Sequence, residues 1–156
     1  MAKILKYYRH NLPIKVRFSD LDVVGHLNNA RYQTYIEEAR IAYFHDVVIH
    51  DKTSLNFHSV VSKITIDFIK PIEFGDDISI YTRVFNFNER SHEIHNLFVR
   101  RVNERSEIMA AAQTLMAAFD YTTKQPSTYP EEYIEKVRQY EGTVEIPSSE
   151  NKLSDL

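Results

Sequence analysis

Between Arg17 and Asn29 the chain reads RFSDLDVVGHLNN, which places Asp20, Asp22, His26, Asn28 and Asn29 within ten residues around Gly25. Carboxylate, imidazole and amide groups at that density can move protons, orient water and bind a polarised carbonyl. Asp22 has the chemistry for the central role. A carboxylate either attacks an electrophilic carbon itself or takes a proton from the water that does. Its structural alternative is to satisfy the amides of its own loop. Histidine as a residue type titrates near neutrality, so His26 is a candidate proton donor or base, or a supporting group. Gly25 permits a tight turn and a close backbone approach. Asn28 and Asn29 can bind water, orient Asp22 or cap a following helix, and capping is the main reading of Asn29. Asp20 reads as a loop-holding group or a partner of Arg17.

Other polar groups read as ordinary structure. Glu37 and Glu38 lie near Arg40 on a helical pattern, where an ion pair is expected. His92 and His95 are three apart on an expected strand and face opposite sides. His45 and His50, five apart, miss the i,i+4 spacing of a helical zinc pair. No metal and no cofactor is therefore expected. A glycine-rich phosphate loop and a Gly-x-Ser-x-Gly elbow are both absent from the sequence, which removes the nucleotide-enzyme and serine-hydrolase readings.

Composition sets wider bounds. The 156 residues suit one domain, and 43% hydrophobic residues with ten Tyr and nine Phe can fill a core. A net charge of −3 gives no footprint for nucleic acid. The chain has no cysteine, which excludes disulfides, thiolate nucleophiles and Cys-ligated metals. No apolar run is long enough for a signal segment or a bilayer span, so the expected setting is cytoplasmic, with no membrane partner.

The elements that must position the polar junction follow from hydrophobic spacing. Ile14, Val16 and Phe18 alternate with polar residues and predict a strand before the junction. Tyr32, Tyr35, Ile36, Ala39, Tyr43 and Val47 then fall at helical steps and predict a helix over about 29–47. Strands are expected over 58–70, 78–87, 91–102 and 107–121. A turn at Gly75 separates the first two, and Asn88-Glu89-Arg90 forms a hairpin loop between the next pair. The last strand is rich in alanine and has helical propensity. Thr114, Phe119 and Tyr121 favour a strand, and small side chains suit packing beneath a helix. Residues 122–129 read as a loop, and Pro130 opens a short helix with acids first and bases later. The expectation is a single domain over 1–140 with a tail over 141–156: an α+β fold in which a mostly antiparallel sheet covers one long helix.

The spacing Arg17-x-x-Asp20-x-Asp22-x-x-Gly25-His26-x-Asn28-Asn29-x-x-Tyr32 resembles the opening motif of the hotdog-fold acyl-CoA thioesterases, the 4-hydroxybenzoyl-CoA thioesterase type in particular. DFIKPIEFGDDISI (67–80) is similar to that family's strand-Pro-Phe-Gly-Asp-strand connection, as is the late strand ending Ala117-Ala118-Phe119-Asp120. The likeness runs over roughly residues 10–140. It implies a hotdog fold, a curled antiparallel sheet around one helix. It also implies homodimers or homotetramers with active sites at the subunit interface.

The resemblance further implies hydrolysis of a thioester of coenzyme A, or of acyl carrier protein, with Asp22 as general base or nucleophile. The thioester carbonyl is then expected against the amides of Gly25, His26, Leu27 and Asn28, with Asn29 also in the binding site. Arg100-Arg101 and the stretch from Arg83 to Arg90 are basic spots for coenzyme A phosphates or solvated strand ends. A hotdog enoyl-thioester hydratase using Asp22 and His26 as an acid/base pair, and a non-catalytic acyl-CoA-binding protein, are the other readings. The chain departs from many relatives at the helix exit, where Val47-Val48-Ile49-His50 replaces a Leu-Gly stop.

Overall fold

The computed structural model describes residues 3–54, 57–103 and 105–142. Its elements are β1 (His10–Ile14), α1 (Asn29–Phe44), β2 (Ser59–Phe68), β3 (Ile78–Phe85), β4 (Ser91–Val102), β5 (Arg105–Asp120), β6 (Gln125–Pro126) and α2 (Glu131–Glu141). One antiparallel sheet runs in the order β1-β3-β4-β5-β2, with β6 added on β5. The sheet curls around α1 in the hotdog arrangement.

Alternation along the strands sends different side chains to the two faces. Ile78, Ile80, Phe98, Ala110 and Ala112 pack against Tyr32, Tyr35, Ile36 and Ala39 of α1. On the other face Tyr81, Leu97, Val99 and Ala111 are covered by Ile4, Leu5 and Tyr8 around a short 3-10 turn. The alanine run of β5 is thus buried from both sides, and propensity for helix yields to that packing. A third cluster, built from Tyr43, Phe44, Val48, Val84, Ile94, Met116 and Val137, joins the far end of α1 to α2.

Four sequence expectations change. The strand placed on 14–19 lies instead at His10–Ile14, and Phe18 is exposed in a short 3-10 turn, Phe18–Asp20. The Asp20 carboxylate causes this, because it accepts from the Arg17 N–H at 3.0 Å and draws the chain out of the sheet. Pro13 is tolerated in β1 because the strand is at the sheet edge. The helix expected to about 47 stays regular only to Phe44. A wider π-type turn, His45–Ile49, completes it, and His50 closes the exit at φ 57. The β3–β4 loop is longer than Asn88-Glu89-Arg90 because β3 ends at Phe85. Asn88 Oδ1 ties the loop by accepting from the amides of Arg90 and Ser91. Finally, Glu141 is no tail residue: it ends α2 and is buried. The rest of the expected tail, 143–156, lies outside the described residues.

Candidate functional site

The polar junction folds into a small hairpin-like loop before α1. Leu21 bridges Leu27, the Asp22 N–H donates to the His26 carbonyl at 2.8 Å, and the Gly25 N–H returns to the Asp22 carbonyl at 3.1 Å. Gly25 sits at φ 84, the left-handed region that glycine enters without strain. A Cβ built there meets nothing, so the turn conformation, not crowding, asks for glycine.

Asp22 is half-buried and asymmetric. Its Oδ1 accepts from the backbone N–H of Val24 at 2.9 Å and of His26 at 3.1 Å. Oδ2 has no hydrogen-bond partner among the described residues. The structural alternative for Asp22 therefore holds for one oxygen and leaves the other available. Asp20 has a different task. Buried, it accepts from Tyr35 Oη at 2.6 Å and lies 3.7 Å from the Arg31 guanidinium. The Tyr35 hydrogen bond, with the Arg17 amide and nearby guanidinium charge, holds the Asp20 carboxyl below the usual range. The sequence does not single out Tyr35 as this partner. Its helical phase marks it as core, and only its hydroxyl hints that the core ends there.

The second motif comes to meet the first. The Leu27 N–H donates to the Ile72 carbonyl at 2.8 Å, and His26 forms an isolated bridge with Glu73. A cleft of about 250 Å³ results, with Asp22, His26, Leu27, Asn29 and Tyr32 on one side and Phe68 to Pro71 on the other. Tyr32 stacks edge-on against Phe68, with centroids 4.9 Å apart. Gly25 and Asn28 do not line this cleft. Asn28 is the helix cap, accepting from the Ala30 N–H at 2.9 Å, and Asn29 is the first helical residue. That reverses the capping assignment.

The amides expected to hold a carbonyl are mostly occupied. Gly25 and His26 donate to Asp22, Leu27 to Ile72, and Asn28 to the Asp20 carbonyl at 2.9 Å. Other amides of the junction, Val23 and Asn29 among them, lack an internal acceptor among the described residues, and of these residues Asn29, at the positive end of α1, lines the cleft.

The remaining candidates fall where structure, not chemistry, needs them. Arg40 pairs with Glu37 at 3.1 Å. Arg100 is held by Asp76 and Glu107. Arg83 is buried beside Glu141, and Arg90 is exposed beside Glu89. His92 and His95 do lie on opposite faces: His92 contacts Phe44 of α1, and His95 stacks on Phe85. No group of three or more potential metal ligands occurs among the described residues.

Comparison with known proteins extends this geometry. The sequence profile of the thioesterase-like superfamily matches residues 16–137. FadM of Escherichia coli (strain K12), a long-chain acyl-CoA thioesterase, is 28% identical over 130 residues, which cover 81% of this chain and 95% of FadM. YsmA of Bacillus subtilis (strain 168) is 29% identical over 84 residues, 54% of this chain and little more than half, 56%, of YsmA. Among solved structures, the thioesterase from Thermus thermophilus complexed with coenzyme A and Zn is similar at a TM-score of 0.74 and 28% identity, over 89% of this chain and 99% of that one.

Proposed function

Because the chain belongs to the thioesterase-like superfamily and is a thioester hydrolase of that family, we propose that it hydrolyses an acyl-coenzyme A to the free acid and coenzyme A, with Asp22 driving the step. The observation carrying this reading is the divided carboxylate. One oxygen is fixed by two backbone amides, and the other is unpartnered at the wall of a cleft built by both motifs.

As general base, Asp22 takes a proton from water as the water oxygen bonds to the thioester carbon. The carbonyl oxygen gathers negative charge, for which the Asn29 N–H and the α1 dipole are placed. Collapse of that intermediate breaks the C–S bond, and the proton passes from Asp22 to the leaving thiolate. As nucleophile, Asp22 bonds to the carbon itself, expels the thiolate and is freed by water. Turnover in oxygen-18 water identifies the second route where label enters the Asp22 carboxylate, which happens only if water opens the mixed anhydride at the aspartyl carbon. Leu27, Tyr32, Phe68 and Ile69 offer an apolar wall to the acyl group.

A hydratase reading would need Asp22 and His26 to act as a pair. No hydrogen bond links the His26 ring to the Asp22 carboxylate, which weighs against it. A carrier-protein thioester would undergo the same chemistry, and a binder would hold the thioester intact. The proposed enzyme is a homodimer or homotetramer, in keeping with Phe68 (49% exposed) and Val61 (41%) on the edge strand β2. Among the described residues no helix is long and apolar enough to cross a membrane, and the proposed setting is cytoplasmic.

The test is thiol release from aromatic, short-chain and long-chain acyl-CoA thioesters by the wild type and Asp22→Asn. The expected result is turnover by the wild type and a loss on the order of a hundredfold or more in the variant. Equal thiol release by both proteins overturns the role of Asp22. Binding without release by the wild type overturns hydrolysis.

A further inference from the structure

Three tyrosines of α1 turn their rings into the core: Tyr32, Tyr35 and Tyr43. A buried phenol ordinarily finds a hydrogen-bond partner, and two of these do. Tyr35 Oη donates to Asp20 at 2.6 Å, and Tyr43 Oη donates to Glu141 at 2.6 Å. Tyr32 is only 2% exposed, yet its hydroxyl has no hydrogen-bond partner among the described residues. The ring is held edge-on to Phe68 at 4.9 Å and tilted against Phe98 at 5.0 Å. Nor is the oxygen sealed in. The Tyr129 phenol is fully buried without a partner, whereas the Tyr32 oxygen keeps access to solvent. Tyr32 lines the Asp22 cleft, so that access opens into the cleft.

Helical geometry aims the side chain. Residues on a helix lean back toward its N-terminus, so Tyr32 covers the turn that begins at Asn29. Asn29 and Tyr32, three residues apart, share a face, and both line the cleft that Asp22 borders. The amides of Gly25 to Asn28, expected to receive a carbonyl, already donate inside the protein. The cleft is therefore short of backbone donors for the charge that develops on a carbonyl oxygen.

Side chains must supply what the backbone does not. Of the other donors on the cleft, Lys70 is turned to Glu107, Asn29 is exposed and His26 is half-buried, both open to competing water. A phenol set in an apolar wall donates where the local dielectric is low and water is excluded. Burial pushes the Tyr32 phenol up to about 12, so it keeps its proton at neutral pH.

Resting on the reading of Asp22 as the group that drives hydrolysis, we infer that Tyr32 is a second catalytic residue: its hydroxyl donates a hydrogen bond to the thioester carbonyl oxygen, beside the Asn29 N–H. No proton is transferred. As water or Asp22 bonds to the carbonyl carbon, the π pair of the C=O bond moves onto oxygen, and Tyr32 and Asn29 share the charge. When that pair returns and the C–S bond breaks, the phenol is unchanged. The ring remains part of the apolar wall.

Tyr32→Phe tests this, since it deletes one oxygen and keeps the ring against Phe68 and Phe98. Because that oxygen satisfies nothing inside the protein, the melting temperature is expected to hold. On the thioester that the wild type hydrolyses best, kcat is expected to fall on the order of a hundredfold, with KM changed less than about threefold. The acid limb of the pH–rate profile is expected to stay in place. A lower melting temperature with kcat retained makes the hydroxyl structural and overturns the inference. A displaced acid limb overturns it by putting the phenol on Asp22 instead of the substrate. A raised KM with kcat retained overturns it in favour of a contact with the acyl group.

Asp22→Asn in the same assay separates the two readings. An inactive Asp22→Asn beside a fully active Tyr32→Phe removes Tyr32 alone, and the opposite pattern removes Asp22 alone. A further readout needs no turnover. Calorimetry compares two coenzyme A thioethers, S-(2-oxopropyl), which carries a carbonyl, and S-propyl, which lacks it. The wild type is expected to prefer the oxo compound, and Tyr32→Phe is expected to lose that preference. A preference that is absent from the wild type, or that survives the substitution, overturns the inference whether or not the chain hydrolyses a thioester.

Discussion

Asp22 and Glu141 stand at opposite ends of α1, and the fold treats the two carboxylates in opposite ways. Asp22 is half-buried, with one oxygen fixed by amides two and four residues away and the other unengaged. Glu141 is buried, and its Oε1 accepts from Tyr43 Oη at 2.6 Å and the Val84 N–H at 3.0 Å. Its Oε2 lies 3.4 Å from the Arg83 guanidinium. Burial pushes the Glu141 carboxyl up from its ordinary value, while Tyr43, Val84 and Arg83 pull against that. An unengaged oxygen beside a cleft is available to a substrate. A buried carboxylate with one oxygen doubly hydrogen-bonded and the other facing a buried guanidinium is a fastener, here holding α2 to β3 and α1.

The comparison breaks most sharply under paired substitution. Asp22→Asn is expected to remove activity with little change in melting temperature. Glu141→Gln should do the reverse, because it removes one charge of a buried pair, at a cost of about 3–5 kcal/mol. Denaturant titration and turnover on both variants check the crossing. A Glu141→Gln protein as stable as wild type would show that the buried pair contributes nothing net.

The far end also carries an acid-sensitive group. His92 is buried among Phe44, Phe87 and Tyr129. Burial, helped by the Arg40 charge, lowers its pKa from 6.5 to about 3. The unfolded chain therefore takes up a proton as pH falls below 6.5, and the folded chain refuses it until about 3. Stability is lost as pH falls through that window, at up to ~1.4 kcal/mol per pH unit. His10 and His95, also lowered mainly by burial, act in the same direction. His92→Phe is expected to remove on the order of 2–3 kcal/mol of the stability difference between about pH 7 and about pH 4.5. Equal pH slopes in the two proteins would mean that His92 is protonated in the fold.

Near Asp22 the corresponding support is Asp20–Tyr35. Tyr35→Phe keeps the ring and deletes a donor to a buried carboxylate, an expected loss of about 1.5–3 kcal/mol. The Asp20 carboxyl, held low chiefly by that hydrogen bond, should also titrate higher. Stability from a depressed acid is present above its unfolded pKa and disappears as pH falls through the folded one. The variant should therefore lose less on acidification than wild type does. Nuclear magnetic resonance titration of the Asp20 carboxyl reads the shift directly, and an unmoved titration would assign the holding role to Arg17 and Arg31.

The same contrast explains what the sequence disclosed. Asp22, Gly25, His26 and Asn28 find their partners within a few residues, so spacing alone announced a loop carrying a carboxylate before a capped helix. The spacing of Ile64, Ile66 and Phe68 in 58–70 likewise declared a strand, and Ile66 and Phe68 do lie toward α1. Glu141 finds Tyr43 98 residues away and Val84 57 away, and no local pattern encodes such a meeting. A charged residue after a short amphipathic helix therefore looked like the start of a tail. The strand placed at 14–19 failed for a related reason: Ile14, Val16 and Phe18 alternate correctly, but the Asp20 carboxylate, which accepts from the Arg17 N–H and is anchored by Tyr35 Oη, draws the chain out at that point. The occupied amides of Gly25 to Asn28 were hidden too, since their acceptors include Ile72 on a distant connection.

The smallest expected effect concerns how α1 begins and ends. Ahead of it, a glycine supplies the positive φ. Past it, His50 adopts φ 57 and ψ 8 with its N–H bonded to the His45 carbonyl at 2.9 Å, a position where glycine is the usual residue. An L side chain in that conformation costs on the order of 1–2 kcal/mol, and glycine returns part of the gain as unfolded-chain entropy. His50→Gly is thus expected to stabilise the fold by about 0.5–1 kcal/mol, measured as a rise in denaturant midpoint at unchanged slope. The imidazole itself is exposed, so little packing is lost with it. A fall in the midpoint would show that the histidine makes contacts worth more than the strain it carries. The far end of α1 would then be held by side chains at its surface as well as by the buried carboxylate beneath it.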